Sequence, residues 1–212
     1  MANSNNPFGL KFIGMKGSPP TNAAIRERRN GILSSGTTAI YTGDLIKKSA
    51  DGYLYQYTSG SSVYLVQGVF AGCRYASSSQ QTMVPSKYYP GTDAASGSIL
   101  AQYIDVSLGG GVPLFVIQTD STGVTLADIG MNFDVVVGSG STLTGRSGTY
   151  LDVSTITTTT TSPLQLVDLW VNWSMGNSPT GAGSSSTLAP GTQAGAYNWA
   201  VVSINTIGST GI

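Results

Sequence analysis

Short apolar runs repeat along most of the chain from about residue 37 onward, each rich in β-branched or aromatic residues and bounded by glycine, proline, aspartate or serine. This pattern is typical of β-strands. The runs cover residues 38–48, 53–57, 62–75, 98–107, 113–120, 123–130, 132–137, 149–154, 163–173 and 197–207. Because no convincing long helix lies between them, they predict an all-β body, either a β-barrel or a jelly-roll-like β-sandwich.

One of the most apolar runs is SVYLVQGVFAGCRY, residues 62–75. We interpret it as a central strand in which Val66 and Phe70, or the residues that alternate with them, face the core. Gly68 and Gly72 mark positions at which this strand is expected to bulge or bend.

Cys73, the single cysteine of the chain, lies in this run beside Arg74. In an extended strand the two side chains point to opposite faces, so the arginine is a poor activator of the thiol. We therefore interpret Cys73 as a small apolar side chain of the core. Its replacement by alanine or serine is expected to leave the function of the protein intact.

The first 35 residues differ from the rest of the chain. The stretches NSNNPFGL and GSPPTN are rich in turn-forming residues and proline, and they show little periodicity. Thr21, ahead of NAAIRERR, is a candidate cap for one short helix. We predict an extended N-terminal arm at residues 1–35 and a β-body at residues 36–212, with the arm making its contacts on another part of the domain or on another subunit.

Three segments interrupt the strand pattern. Residues 76–97 are predicted to form a loop, and the threonine run at 155–163 is either an edge strand or a connector. Residues 174–196 form a long Gly/Ser/Thr-rich loop, which in a compact domain is either disordered or functional. The tryptophans that flank this loop predict that its ends are anchored.

Charged residues make up only 9% of the chain, far below the roughly 25% of an ordinary soluble domain. Such a surface often belongs to a protein that partners cover. The net charge is zero, but residues 1–48 carry seven basic and two acidic side chains, whereas residues 49–212 carry three basic and eight acidic ones. The N-terminal part is therefore suited to an acidic surface. The cluster RERR at 26–29 is too short to indicate nucleic-acid binding, and we interpret it as a solvated face.

The chain contains no histidine. This removes the general base of Ser-His-Asp and Cys-His catalysis and the commonest ligand of zinc. A pair of catalytic carboxylates would have to come from one glutamate and nine aspartates, and no such pair is evident in the sequence. We therefore expect no enzymatic activity, no catalytic residue, no cofactor and no metal site.

Three further patterns point to structure rather than chemistry. GSGSTLTG at residues 138–145 has Leu143 where the third glycine of a phosphate-binding GxGxxG would stand, so we interpret it as a flexible turn. Asp128, Asn132 and Asp134 lack the spacing of a calcium-binding loop. The eleven tyrosines and three tryptophans fit a sugar-binding face or a protein interface. We favour the interface, because no cluster of carboxylates and amides accompanies them.

The sequence gives no sign of secretion or membrane insertion. Its N-terminus lacks a basic region followed by an apolar one, and no apolar run approaches the ~20 residues that span a bilayer. A single cysteine excludes a disulfide within the chain, which suits assembly in the cytoplasm.

Six motifs occur in a fixed order along the chain: NPFGLKFIG, YTGDLIKK, GVFAGCRY, YYPG, DIGMNFDVVVGSGSTLTGRSGTYLD and YNWAVVSINTI. In this order the chain resembles a family of small tailed-bacteriophage virion proteins, whose members begin with an arm of the type Met-Ala-Asn-x-x-x-Pro-x-Gly-Leu. They are regarded as capsid decoration, or cement, proteins or simply as virion structural proteins. The resemblance implies a β-barrel or β-sandwich on the outer surface of the capsid, and it implies no catalytic residues.

The resemblance also implies partners and contact residues. The partners would be the major capsid protein and other copies of the chain, as a homotrimer at local three-fold axes or as a dimer, with no nucleic acid and no membrane. The arm would supply the contacts: Phe8, Leu10, Lys11, Phe12, Ile13, Lys16, Arg26, Arg28 and Arg29. Deleting residues 1–20 is then expected to abolish shell binding and leave the body folded. A head-fibre, neck or tail module and a carbohydrate- or receptor-binding module are the alternatives.

Overall fold

The structure is a computed structural model that describes residues 3–16, 25–29, 31–33, 35–61, 66–95, 99–106, 111–170 and 195–205. Thr21 and all but the last two residues of the loop predicted at 174–196 lie outside these ranges. The described chain is all-β, with fourteen strands and one short 3-10 helix, which confirms the predicted fold class. It contains no helix long and apolar enough to cross a membrane.

The first of two large sheets has six antiparallel strands. In spatial order they are β1 (Lys11–Lys16), β10 (Val112–Gln118), β14 (Trp199–Ile204), β13 (Leu164–Leu169), β11 (Asn132–Val136) and β12 (Tyr150–Thr157). Thr119, directly after β10, forms a parallel bridge with Leu151 of β12. The sheet therefore curls until its sixth strand approaches its second.

The second large sheet also has six strands. Five follow one another in the order β2 (Ile25–Arg29), β9 (Leu100–Asp105), β6 (Val66–Ala76), β4 (Leu45–Lys48) and β5 (Leu54–Gln56), and β7 (Met83–Ser86) pairs with the C-terminal half of β6. A small third sheet joins β3 (Ile40–Tyr41) to β8 (Tyr88–Tyr89). Asp51 and Gly52 lie in the turn between β4 and β5, and Gly52 has a φ of +87°.

Two apolar cores lie on the two faces of the second sheet. The first core fills the space between the large sheets, and its members include Leu45, Tyr57, Val69, Phe115, Phe133, Leu164 and Val202. The second core lies under the small sheet and the segment that precedes it, and its members include Ile32, Ile40, Ile46, Phe70, Cys73, Tyr89 and Tyr103. Much of the second sheet is thus buried on both faces, which explains the continuous apolar run of β6.

Bulges in β6 change which side chains face which core. The pairing of β6 with β4 skips one residue before Gly68, and its pairing with β9 skips another before Gly72. The two bulges thus lie next to the glycines at which the sequence predicts them. An extra residue in a strand reverses the alternation that follows it. Val66 therefore packs in the first core and Phe70 in the second. The expectation that these two residues face one core is wrong.

The structure corrects three further element predictions. Residues 25–29 form strand β2 rather than a helix, because pairing with β9 outweighs a weak local helix signal. Residues 123–130 form a turn with a 3-10 helix at Leu126–Asp128 instead of a strand, since Asp128 accepts hydrogen bonds from the N–H and hydroxyl of Thr125. Residues 76–97, predicted to be a loop, contain β7 and β8.

The threonine run divides between the two predicted possibilities. Its first residues, up to Thr157, belong to edge strand β12, and residues 158–163 form turns that connect to β13. The hydroxyls of Thr157, Thr159 and Thr161 form a chain of hydrogen bonds along this connection.

We predict that Gly68→Ala unfolds the protein at a much lower urea concentration than the wild type. Gly68 has a φ of +159°, and a Cβ at this position would lie 1.9 Å from the carbonyl oxygen of Ile104. Because rigid backbone would have to move, the loss in free energy of unfolding should exceed about 3 kcal/mol. Gly14→Ala in β1 is the matched control, since nothing lies within 4 Å of its Cβ position. An equal effect of both changes would contradict the prediction.

Candidate interaction surface

The N-terminal segment packs against the body of its own chain. The ring of Phe8 meets Trp199 edge-on at 5.0 Å, and the ring of Phe12 meets Phe115 edge-on at 6.0 Å. Leu10 is 4% exposed and belongs to the first core. The prediction that Leu10 anchors on another protein is therefore corrected, because an enclosed side chain has no surface to offer a partner.

The remaining predicted contacts of this segment lie on β1. Lys11 and Lys16, at its two ends, are exposed, whereas Ile13 is half-buried at a bulge in the pairing of β1 with β10. In the described residues, the predicted arm at 1–35 thus supplies edge strands to both large sheets. Of the two destinations expected for its contacts, the described part uses its own domain.

The three arginines of RERR have different surroundings. Arg26 forms an ion pair with Asp105 at 3.1 Å, and Arg28 donates a hydrogen bond to the carbonyl oxygen of Gly52 at 2.6 Å. Arg29 is exposed and lies on the opposite face of β2 from Arg28. Two of the three are thus bound to the body, and Arg29 has no hydrogen-bond or ion-pair partner among the residues that the structure describes.

Asp44, in the turn between β3 and β4, is 1% exposed and accepts four hydrogen bonds. Its Oδ2 accepts from the N–H of Tyr41 at 2.8 Å and from Gln56 Nε2 at 2.7 Å. Its Oδ1 accepts from the hydroxyls of Ser147 and Thr149. One carboxylate therefore joins the second sheet to the loop that leads into β12.

The N-terminal segment docks on the same junction. The N–H of Leu10 donates to the carbonyl oxygen of Gly43 at 2.8 Å, and the N–H of Gly9 donates to the carbonyl oxygen of Thr149 at 3.2 Å. Gly9 has a φ of +72°, and a Cβ there would lie 2.7 Å from the Gly43 oxygen. Only glycine allows the backbones to approach this closely. The residues around Asp44 thus place Leu10 in the core.

All ten acidic side chains of the protein already accept a hydrogen bond or form an ion pair within the chain. They are Glu27, Asp44, Asp51, Asp93, Asp105, Asp120, Asp128, Asp134, Asp152 and Asp168. Asp120, two residues after the end of β10, serves a turn, where it accepts from the N–H of Thr122. The carboxylates are therefore used mainly to fix turns and junctions.

The basic side chains show the opposite distribution. Besides Arg26 and Arg28, only Lys47 has a partner among the described residues, the hydroxyl of Ser61. The other seven form no hydrogen bond or ion pair in the described chain: Lys11, Lys16, Arg29, Lys48, Arg74, Lys87 and Arg146. Seven of the ten cations are thus unpaired in the described chain, whereas each carboxylate has at least one hydrogen-bond donor or cation beside it, although the net charge is zero.

Cys73 lies in the second core and is 2% exposed, as the strand interpretation predicts. Burial raises the pKa of its thiol to about 12, and the thiol contacts the carbonyl oxygen of Tyr88 at 3.5 Å. Arg74 is exposed on the other face of β6. No group of three or more potential metal-ligating side chains occurs in the described part of the chain.

The tyrosines are divided between the cores and the surface. Of the tyrosines that the structure describes, which are all but Tyr64, four are buried: Tyr57, Tyr75, Tyr89 and Tyr103. Tyr41 stacks on Tyr88 with ring centroids 5.3 Å apart, and Gly140 covers Tyr41 so closely that a Cβ would lie 2.3 Å from the ring. A large part of the aromatic content therefore stabilises the fold.

Four exposed residues carry no signal in the sequence: Arg74, Lys87, Leu143 and Arg146. They lie far apart along the chain, and each is an ordinary surface residue on its own. Only the pairing of β6 with β7 and the contact of Gly145 with Lys87 place them on neighbouring parts of the fold.

We predict that Asp44→Ala lowers the free energy of unfolding by about 3 kcal/mol, because it leaves buried donors without an acceptor. Asp44→Asn should stay within about 1 kcal/mol of the wild type at pH 7, since the hydroxyls of Ser147 and Thr149 can rotate to accept from the amide. Urea denaturation of the three proteins measures both differences. Equal losses for alanine and asparagine would contradict the role of Asp44 as a shared acceptor.

The pH dependence gives a second test of Asp44. Burial raises its pKa above the ordinary 3.8, and the four hydrogen bonds offset this only in part. The native state therefore binds a proton more readily than the unfolded chain, so this contribution to stability is present at low pH and is lost as pH rises through the folded pKa. Stability relative to Asp44→Asn should thus fall on going from pH 4 to pH 7. Asp51→Asn is the control of opposite sign, because hydrogen bonds from Tyr55 and Tyr53 lower the pKa of Asp51.

We predict that Cys73 does not react with a thiol reagent at pH 8 in the native protein. With a pKa of about 12, only about one thiol in 10⁴ is ionised, and the thiolate is the reactive form. Absorbance after addition of a chromogenic disulfide should show a full equivalent of thiol only in urea. Rapid labelling of the native protein would contradict burial of Cys73.

Comparison of the chain with protein-family models, with curated proteins and with solved structures gives no match.

Proposed function

We propose that this chain is a structural virion protein that binds the outer surface of an assembled phage capsid and stabilises it. The order of its sequence motifs supports this proposal through their resemblance to capsid decoration proteins. The observation that carries it is the distribution of internal partners, with seven basic side chains unpaired in the described chain and every carboxylate beside at least one hydrogen-bond donor or cation. The partner is thus expected to present carboxylates.

The proposed mechanism is thermodynamic. A protein that binds the assembled shell but not its free subunits stabilises the shell by RT ln(1 + [L]/Kd), which is about 2.7 kcal/mol per site at 100 times Kd. Each exposed ion pair adds at most about 1 kcal/mol, so a useful affinity needs several pairs together with apolar contact. A homotrimer at a local three-fold axis would multiply the contacts through avidity, and a dimer would do so to a smaller extent.

The rigidity of the N-terminal segment favours this mechanism. Since Phe8, Leu10 and Phe12 are already held by the body, the described part of this segment need not be ordered when the protein binds. Less conformational entropy is then lost on association. Deletion of residues 1–20 would remove β1 and Leu10 from the fold, so a loss of binding after that deletion would reflect unfolding as much as a lost contact.

We predict that the purified chain co-sediments with assembled shells that lack it, and that its affinity falls as salt rises from 50 to 500 mM. Screening weakens exposed ion pairs in this way. A reconstruction of the decorated particle should show density at many equivalent positions on the outer shell. Density confined to the tail or neck would contradict capsid binding, as would binding that is unchanged by salt. Free shell subunits are the matched control and should bind weakly.

A further inference from the structure

One end of the second sheet presents an exposed row of side chains across four strands. Arg29 of β2 pairs with Leu100 of β9, Leu100 pairs with Arg74 of β6, and Arg74 pairs with Pro85 of β7. Side chains that are directly opposite in antiparallel strands lie on the same face of the sheet. The two arginines therefore flank Leu100, at a spacing of about 10 Å, which is two strand separations.

The neighbouring row fixes which face this is. Ala101 and Cys73, one position along β9 and β6, pair with each other and point into the second core. Because side chains alternate along a strand, Leu100 and Arg74 point away from that core. Leu100 is half-buried, and both arginines are exposed.

Two further features extend this row. Met83, two residues before Pro85 on β7, is 56% exposed. Lys87 follows β7, and its Cβ lies 2.5 Å from the position that a Cβ on Gly145 would take. The loop at 139–146 is thus packed beside Lys87. We name the surface formed by Arg29, Leu100, Arg74, Pro85, Met83 and Lys87, together with Leu143 and Arg146 of the adjoining loop, the basic-apolar face.

Leu143 lies at the tip of this loop and is 94% exposed. The loop is nevertheless fixed to the body at its base. The N–H of Thr42 donates to the carbonyl oxygen of Gly145 at 3.0 Å, and the N–H of Ser147 donates to the carbonyl oxygen of Thr42 at 2.9 Å. The sequence predicts a flexible turn here, but the base of the loop is fixed to the body by these backbone hydrogen bonds.

An apolar side chain this exposed is unusual for the tip of a hydrogen-bonded loop. Within the loop, the N–H of Gly145 also donates to the carbonyl oxygen of Ser141 at 2.7 Å. Because the tip is already ordered, its binding to an apolar socket would cost little conformational entropy. Arg146, beside the tip, has no partner in the described chain and can pair with carboxylates around such a socket.

We propose that the basic-apolar face docks on a protein surface that presents carboxylates around apolar side chains, and that this surface belongs to the assembled shell. This inference rests on the proposed function and adds the face that makes the contact. Leu100, Met83 and Leu143 give the apolar contact, and the cations beside them pair with carboxylates of the shell. The N-terminal segment then serves the fold rather than the contact.

The composition of the face selects a protein partner over a polyanion. Glu27 lies on the same face of β2 as Arg29 and accepts a hydrogen bond from Gln102 at 2.5 Å. A carboxylate here disfavours a chain of phosphates or sulfates, and apolar side chains between the cations add nothing to the binding of one. A second copy of this chain is also a poor partner, because a two-fold contact would bring the same cations of the face against one another, and like charges repel.

The test compares two variants of equal charge. Arg29→Gln/Arg74→Gln removes two cations from the basic-apolar face, and Lys11→Gln/Lys48→Gln removes two equally unpaired cations from β1 and β4. All four side chains are exposed, so thermal unfolding should be unchanged in both variants. We expect the arginine variant to bind assembled shells at least about tenfold more weakly and with a smaller salt dependence, and the lysine variant to stay within about twofold of the wild type.

Leu143→Ser tests the apolar contact separately and should also weaken shell binding about tenfold, with the salt dependence unchanged. Three outcomes would overturn the docking face alone: equal shell binding by wild type and the arginine variant, equal weakening by the lysine variant, or a change in the oligomeric state of the free protein caused by Leu143→Ser. The last outcome would make the face a subunit contact. If the wild type itself fails to bind shells at low salt, the proposed function fails, and the docking face fails with it.

Discussion

A single buried carboxylate holds together the parts of this protein that are distant in sequence. Asp44 accepts hydrogen bonds from its own turn, from Gln56 beside it in the second sheet, and from two hydroxyls more than 100 residues away. A buried charge is tolerated only where hydrogen bonds replace the lost water. Every donor around Asp44 is therefore held in place, and the backbone groups that surround it dock Gly9 and Leu10.

This junction changes the role of the N-terminal segment. The sequence suggests a segment that cannot fold alone, and the structure provides its partners within the chain, through Leu10 in the core and β1 on the first sheet. A segment that completes its own body has few apolar groups left for a neighbour. The proposed contact with a shell therefore uses side chains elsewhere, namely the unpaired cations of the second sheet and of the loop at 139–146.

The elements that could be predicted are those whose signal is local. The runs at 132–137 and 197–207 contain β11 and β14, because β-branched and aromatic side chains suit a buried sheet and nothing nearby competes. Residues 25–29 and 123–130 were mispredicted for opposite reasons: a distant strand converts the first into β2, and a side-chain cap converts the second into a turn. The two faces of β6 could not be assigned, because each bulge reverses the pattern and only the partner strand reveals it.

The candidate site shows the same limit more strongly. The sequence predicts that basic residues meet an acidic partner, and it concentrates them in the N-terminal part, where Arg26 and Arg28 prove to be used internally. Arg29 and Arg74 are separated by 44 residues and share one row only because both strands pair with Leu100. A binding face on a sheet is a property of register, which a count of charges along the chain does not contain. What matters for binding is therefore which charges the fold leaves unpaired. The net charge of zero conceals a chain in which every acid has a hydrogen-bond donor or a cation beside it, whereas seven of the ten bases have no partner among the described residues.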